Sequence, residues 1–185
     1  MMLKPWPVIR SQSGPSYRIF SLRIDTARAP HSGKEHDFYI IDSPDWVNII
    51  PITEDNQVVM VKQFRHATKE ITLEIPGGMV EKGDTPEKAA FRELLEETGY
   101  KSGKLTLLGT VHPNPAIINN RCSTYLARNL QKVINGERDQ TEDIEVYLYP
   151  LNEIPKLIMD GKITNSLVIT AFFWYFARKN WQSLL

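Results

Sequence analysis

A single cysteine, Cys122, stands in a chain of 185 residues. One thiol excludes an intrachain disulfide framework and fits a reducing compartment, so Cys122 is read as a small buried residue on a strand. Net charge is missing too, since 22 Lys and Arg offset 22 Asp and Glu. Composition therefore gives no broad basic surface for long nucleic acids and leaves only a local patch open. The opening Met1-Met2-Leu3-Lys4-Pro5-Trp6-Pro7 has no apolar core of the kind a secretory signal needs. The longest late apolar stretch, Leu167 to Ala177, is too short to cross a bilayer and carries Thr170. It reads as a core helix. Repeats, low-complexity tracts and a domain linker are absent as well. The expectation is a soluble, cytoplasmic chain, long enough to bury a substantial core.

What is present is a run of strand signals and one well-marked helix. Residues 1–16 hold three prolines among polar residues and are expected to form a loose lead-in. Alternation over 17–26 predicts a strand, and a turn at Ala29-Pro30-His31-Ser32-Gly33 leads to a second near 36–42. Runs rich in β-branched residues at 46–53 and 57–64, separated by Glu54-Asp55-Asn56, predict a hairpin. A short strand over 71–75 ends at Pro76-Gly77-Gly78, and more strands are expected at 104–112, 121–127 and 144–149. Thr85 is placed to cap a helix that starts at Pro86 and stops at Gly99. Ala89, Ala90, Phe91 and Leu94 supply its apolar face. Two further helices are expected at 152–160 and 165–179. Strands dominate the first half without βαβ alternation, which predicts a mixed α+β sandwich rather than a parallel doubly wound sheet.

The helix after Pro86 carries Glu93, Glu96 and Glu97 on one face, opposite the apolar one, with Arg92 beside them. Carboxylates that close repel and raise one another's pKa unless a cation lies between them. Clustered hard oxygens suit Mg²⁺ or Mn²⁺, which commonly bind substrate phosphates. A solvated acidic face is the alternative, and Gly77-Gly78, Arg92 and Gly99 at fixed offsets weigh against it. Gly77, Gly78 and Gly83 allow close backbone approach or positive φ. Gly78 and Gly83 also have the spacing of a phosphate-cradling P-loop, but that loop needs Lys next and the chain has Asp84.

From Gly78 to Tyr100 the chain resembles the Nudix box, Gly-x5-Glu-x7-Arg-Glu-U-x-Glu-Glu-x-Gly-U, with U a bulky apolar residue. Gly78, Arg92, Glu93, Leu94, Glu96, Glu97, Gly99 and Tyr100 stand in register, and Asp84 replaces a glutamate of generally structural role. The resemblance implies a Nudix fold, an α/β/α sandwich with a mixed β-sheet plus an N-terminal antiparallel sheet. It implies hydrolysis of a nucleoside diphosphate linked to another moiety. Glu93 and Glu97 would be the principal Mg²⁺ ligands, Glu96 a further one directly or through water, and the Gly77 carbonyl a backbone ligand. Mn²⁺ is the expected substitute. Arg92 would orient the glutamates by ion pairing.

Segments 57–65 and 73–78 resemble the ADP-ribose and nucleotide-sugar pyrophosphatase branch, which implies Arg65 and Glu74 near the diphosphate and metals. For Arg65 the other reading is an exposed strand-end charge. Pro115, fifteen residues after Tyr100, resembles a marker of ADP-ribose hydrolases. Polar groups of its proline-broken loop, Asn119 among them, would touch the sugar or terminal phosphate; a rigid turn is the alternative. Glu142-Asp143-Ile144-Glu145-Val146 resembles the branch's late acidic loop, which adds a metal ligand and often the general base. Glu142 takes the ligand place. Some relatives have a glutamate base two residues earlier, where Gln140 accepts no proton, so Glu142, Asp143 and Glu145 are the candidates. Trp46 is read either as a stacking partner for a nucleobase, across a dimer, or as a core residue. His66 and His112 are read as structural.

The expected organisation is residues 1–42 as dimerisation and base-binding strands and 43–185 as the hydrolase domain. The expected function is Mg²⁺-dependent cleavage of nucleoside diphosphate sugars, ADP-ribose foremost, by a homodimer with no membrane or long nucleic-acid partner. Hydrolysis of RNA 5′-triphosphate ends or of dinucleoside polyphosphates is the enzymatic alternative, opposed by neutral charge and Pro115. A non-catalytic nucleotide-sugar sensor is the other, opposed by the intact Glu93, Glu96 and Glu97.

Overall fold

Residues 2–133 and 143–182 are described by the computed structural model, the last four of them in backbone only. The chain divides into two units, Met1–Pro44 with His112–Arg121, and Asp45–Val111 with Cys122–Leu185. In the first, β1 (Val8–Ser16), β2 (Ser21–Arg28) and β3 (Glu35–Asp42) form an antiparallel sheet in that order. The loose lead-in expected over 1–16 is therefore largely strand. Its prolines hid it: Pro5 and Pro7 precede β1, and Pro15 falls in the register shift between Ser13 and Ser16, on an edge strand that tolerates a missing N–H. Residues 17–20 form the connecting turn, closed by the Tyr17 N–H on Phe20 O at 2.8 Å. The inserted segment His112–Arg121 is tied to β3, with the Ile41 N–H donating to Ile117 O at 2.7 Å.

The second unit comprises β4 (Trp46–Pro51), β5 (Gln57–Arg65), β6 (Glu70–Glu74), β7 (Gly77–Met79), α1 (Pro86–Thr98), β8 (Tyr100–Lys101), β9 (Leu105–Val111), β10 (Cys122–Ala127), β11 (Gln131–Lys132), β12 (Ile144–Pro150), α2 (Ile154–Met159) and α3 (Ser166–Gln182). One sheet runs β7-β4-β10-β9, a second β12-β5-β6, and β8 pairs with β11. β4 and β10 are parallel while the remaining ladders are antiparallel, so the sheet is mixed.

The hairpin expected from 46–53 and 57–64 does not form. Only Ile52 and Val58 bridge, after which β4 and β5 enter different sheets. The reason is burial on both faces. Along β4 and just past its end, Val47 and Ile49 pack with Ala89, Ala90 and Leu94 of α1, whereas Ile50 and Ile52 pack with Val168, Ala171 and Phe172 of α3. A strand apolar on both sides needs a layer over each, which an exposed hairpin cannot supply. The hairpin that does form joins β5 to β6, from Arg65↔Glu70 to Val61↔Glu74. Helix, sheet and helix thus make the expected sandwich. Among the described residues no helix is long and apolar enough to cross a membrane.

Candidate active site

The glycine turn and α1 are locked together by backbone geometry. Thr85 Oγ1 accepts from the Lys88 N–H at 3.2 Å, and Gly99, at φ 72°, ends the helix with its N–H on Leu95 O. Both caps stand where the sequence places them. β7 pairs with β4 through Asn48↔Gly77 and Val47↔Gly78. A Cβ on Gly77 would meet Val47 O at 2.4 Å, and one on Gly78 would meet Glu93 Oε1 at 2.3 Å. Close approach of backbone requires glycine at 77, whereas at 78 a Cβ would displace the Glu93 carboxylate.

Glu93 and Glu97 do not lie on a wet face opposite the apolar residues. Ala89, Glu93 and Glu97 share one i, i+4 row beside the Ala90–Leu94 row, and the two glutamates are only 9% and 6% exposed. Glu97 Oε2 accepts from the Gly77 N–H at 3.0 Å. Arg92 is the cation between the carboxylates: its Nη1 lies 2.8 Å from Glu93 Oε1 and 3.0 Å from Glu96 Oε2, and Nη2 donates to Met79 O at 3.0 Å. Burial would lower the Arg92 pKa, but the attraction of Glu93 and the hydrogen bond and charge of Glu96 raise it. Arg92 Nε is buried without a hydrogen-bond partner, and Asp84 Oδ2 stops 4.0 Å short of it.

A second cluster sits on the β5–β6 hairpin. Arg65 grips Glu74 in a two-pronged pair, Nε to Oε1 at 2.8 Å and Nη2 to Oε2 at 2.7 Å. Thr72 Oγ1 donates to Oε1 at 2.7 Å and Asn165 Nδ2 to Oε2 at 2.9 Å. Burial pushes the Glu74 carboxyl up, yet the Arg65 and Thr72 hydrogen bonds, the Arg65 charge and Asn165 together hold it below the usual carboxylate range. Arg65, Glu74, Gly77, Gly78, Trp46 and Asn165 line one cavity of about 370 Å³. Trp46 is thus a half-buried wall residue of this cavity. Cys122 lines it too, buried on β10, with its thiol pushed up to about 12 by burial and by Asp45. It carries no thiolate at neutral pH.

Sequence reasoning missed Thr72, Asn165 and Asn48. A polar residue just ahead of an apolar helical run was the available signal for Asn165; nothing local marks the other two. Pro115 and Asn119 lie in the first unit, in the wall of a separate cavity of about 530 Å³ that Trp6, Phe38, Ile40 and Ile117 also line. Asn119 spends its amide there, Nδ2 donating to Asp42 Oδ1 at 2.6 Å and Oδ1 accepting from the Ser43 N–H at 3.2 Å. The structure does not bring Glu145 together with Glu74. In register, Glu145 and Leu73 both face Lys62, whereas Glu74 and Val146 both face Val61, so the pleat turns Glu145 to the opposite side of the sheet. Tyr147 donates to Glu145, and Lys62 Nζ stands 4.2 Å from the centre of the Tyr147 ring. Asp143 is exposed. Glu142 and Gln140 lie outside the described residues.

Among the described residues no three His, Cys, Asp or Glu side chains converge as a closed metal cage, and Glu96 is held by Arg92. Glu93 and Glu97 nevertheless fit a hard divalent cation. They are buried carboxylates packed against the Gly77–Gly78 backbone, and the Glu93 carboxylate takes the place over Gly78 that a Cβ would fill.

A family model described as NUDIX domain matches residues 43–169. Similar proteins include an ADP-ribose pyrophosphatase of Bacillus subtilis, 34% identical over 150 residues that cover 80% of each chain. A methanol dehydrogenase activator of Bacillus methanolicus is 31% identical over 164 residues, 88% of each chain. The crystal structure of an ADP compounds hydrolase matches over 100% of both chains with a TM-score of 0.86 at 20% identity, a likeness of fold.

Proposed function

Because the chain belongs to the Nudix hydrolase family, whose members generally depend on a divalent metal, we propose that it hydrolyses nucleoside diphosphate sugars, ADP-ribose foremost, to a nucleoside monophosphate and a sugar phosphate. The observation that carries this is the buried Glu93–Glu97 pair on the Gly77–Gly78 backbone, with Gly77 and Gly78 also lining the cavity of Arg65 and Glu74. The name of the Bacillus subtilis relative supports the choice of ADP-ribose.

Glu93 and Glu97 would hold Mg²⁺, or Mn²⁺ in its place, with the Gly77 carbonyl, Glu96 and Glu142 completing the set. When bound, the ion supplies charge neutralisation of the diphosphate and acidifies water. Arg65, braced by Glu74, offers a planar donor fork suited to phosphate oxygens. Arg92 keeps Glu93 and Glu96 from repelling each other. Of the three candidate bases, the pleat that turns Glu145 away from Glu74 favours Glu142 or Asp143. Residues 1–42 would bind the base and join two copies into a cytoplasmic homodimer, and the aromatic-lined cavity of the first unit, with Pro115 and Asn119, supports that division.

The test is a panel of ADP-ribose, GDP-, UDP- and CDP-sugars, triphosphate-ended RNA and dinucleoside polyphosphates, assayed with Mg²⁺. AMP and ribose 5-phosphate from ADP-ribose are expected, with turnover lost in Glu97→Gln. Binding of nucleotide sugars without any product would overturn the enzymatic reading.

A further inference from the structure

Asn165 stands one residue ahead of α3 and serves two partners at once. Its Oδ1 accepts from the Leu167 N–H at 2.9 Å and so caps the helix, while its Nδ2 donates to Glu74 Oε2 at 2.9 Å, ninety-one residues away in sequence. An amide is the short side chain that carries an acceptor and a donor on one planar fork; a carboxylate at 165 would accept only. Asn48 adds a second tie, its Nδ2 donating to Leu167 O at 3.2 Å. The first turn of α3 is therefore fastened to β4 by one amide and to β6 by another. Asn165 and Leu167 line the same cavity as Arg65, Glu74 and Gly77.

The Glu74 carboxylate shows why this matters. Each of its oxygens takes one guanidinium N–H from Arg65 and one neutral donor, Thr72 on Oε1 and Asn165 on Oε2. The neutral donors fix the carboxylate plane, and a fixed plane is what a two-pronged guanidinium needs. The Glu74 side chain is 4% exposed and that of Arg65 45%, so the buried acid is the anchor and the arginine the part that meets solvent or ligand. Removing the Asn165 donor leaves Oε2 with Arg65 alone and Thr72 as the one neutral donor left to set the carboxylate plane.

We propose that Asn165 is a positioning residue, which holds Glu74 in the orientation that presents Arg65 to the substrate diphosphate and couples that orientation to the seating of α3. This rests on the function proposed above. The test uses Asn165→Ser, which retains a helix cap but lacks the reach to Glu74, and Asn165→Asp, which retains the cap and sets a second carboxylate against Glu74. For ADP-ribose with Mg²⁺, KM is expected to rise roughly five- to tenfold in Asn165→Ser and further in Asn165→Asp, with kcat within about twofold. Asn165→Ser, which keeps the cap but loses the donor on Glu74, should melt slightly below the wild type, and Asn165→Ala, which loses both, lower still. An unchanged KM in Asn165→Ser overturns the inference and leaves the proposed function standing. Should the wild type turn over no nucleotide sugar, the proposed function falls. Metal-free calorimetry with ADP-ribose then decides: binding weakened by the same factor in Asn165→Ser supports the inference, and equal binding, or none by the wild type, overturns it.

Discussion

Gly77 and Gly78 are neighbours, yet a methyl group on each would meet different matter. On Gly77 it runs into backbone, Val47 O at 2.4 Å and Asn48 Cα at 2.9 Å. On Gly78 it meets only the Glu93 carboxylate, the far end of a side chain that can swing aside. Gly77→Ala is therefore expected to destabilise the fold by about 1–3 kcal/mol or more, seen as a lower melting temperature. Gly78→Ala should melt close to the wild type and lose hydrolysis by about a hundredfold, because Glu93 is displaced by an ångström or more. Equal melting losses in the two variants would contradict this division. Asp84 makes the opposite kind of prediction. It stops 4.0 Å from a buried, unpartnered Arg92 Nε, and glutamate is one methylene longer. Asp84→Glu should close the gap and stabilise by about 0.5–1 kcal/mol, raising the melting temperature by roughly 1–4 °C. A variant that melts no higher would show that Arg92 Nε is satisfied in some other way.

At the scale of elements, the β5–β6 hairpin carries Arg65, Thr72 and Glu74, and its acid stability follows from Glu74. The folded carboxyl titrates below its unperturbed value of 4.5. A depressed acid contributes stability that is present above the unfolded pKa and is lost as pH falls through the folded one. Glu74→Gln should therefore melt below the wild type at neutral pH, and the gap should narrow as pH drops below 4.5; a gap constant down to pH 3 would count against the assignment. The same elements show what sequence can and cannot say. Thr85, Pro86 and Gly99 mark α1 correctly because capping is chemistry among near neighbours. The β4–β5 hairpin fails because choosing a strand's partner is a non-local decision, set here by α1 and α3 covering opposite faces of β4. Glu93 and Glu97 were legible as a pair, but their burial against Gly77 and Gly78 was not. Asn165 on Glu74 joins residues ninety-one apart, and the side of the sheet on which Glu145 stands depends on the register Lys62↔Glu145. Neither leaves a local trace in the sequence.

For the whole molecule, the three-stranded sheet of the first unit poses the remaining physical problem. Val8 and Ile9 are adjacent on β1, as are Phe38 and Tyr39 on β3, and all four are exposed. Phe38 and Tyr39 are in regular register and so point to opposite faces, which shows apolar side chains on both. Val8 and Ile9, at the register shift before Arg10, add to that surface. A soluble monomer rarely leaves such surface uncovered, and a chain with no net charge has no long-range repulsion to keep copies apart. We therefore expect sedimentation equilibrium at micromolar concentration to give twice the 21.3 kDa chain mass. Tyr39 is 68% exposed, so Tyr39→Glu should leave the fold intact while placing a charge where a second copy would pack. The dimer dissociation constant should rise at least about tenfold. Met159 is the control: it is 85% exposed on α2, in the other unit, and Met159→Glu should leave the association unchanged. If both variants weaken association alike, the contact does not run through β1 and β3. A wild type that sediments as a single chain would remove the dimer altogether and leave these four side chains to cover some other partner.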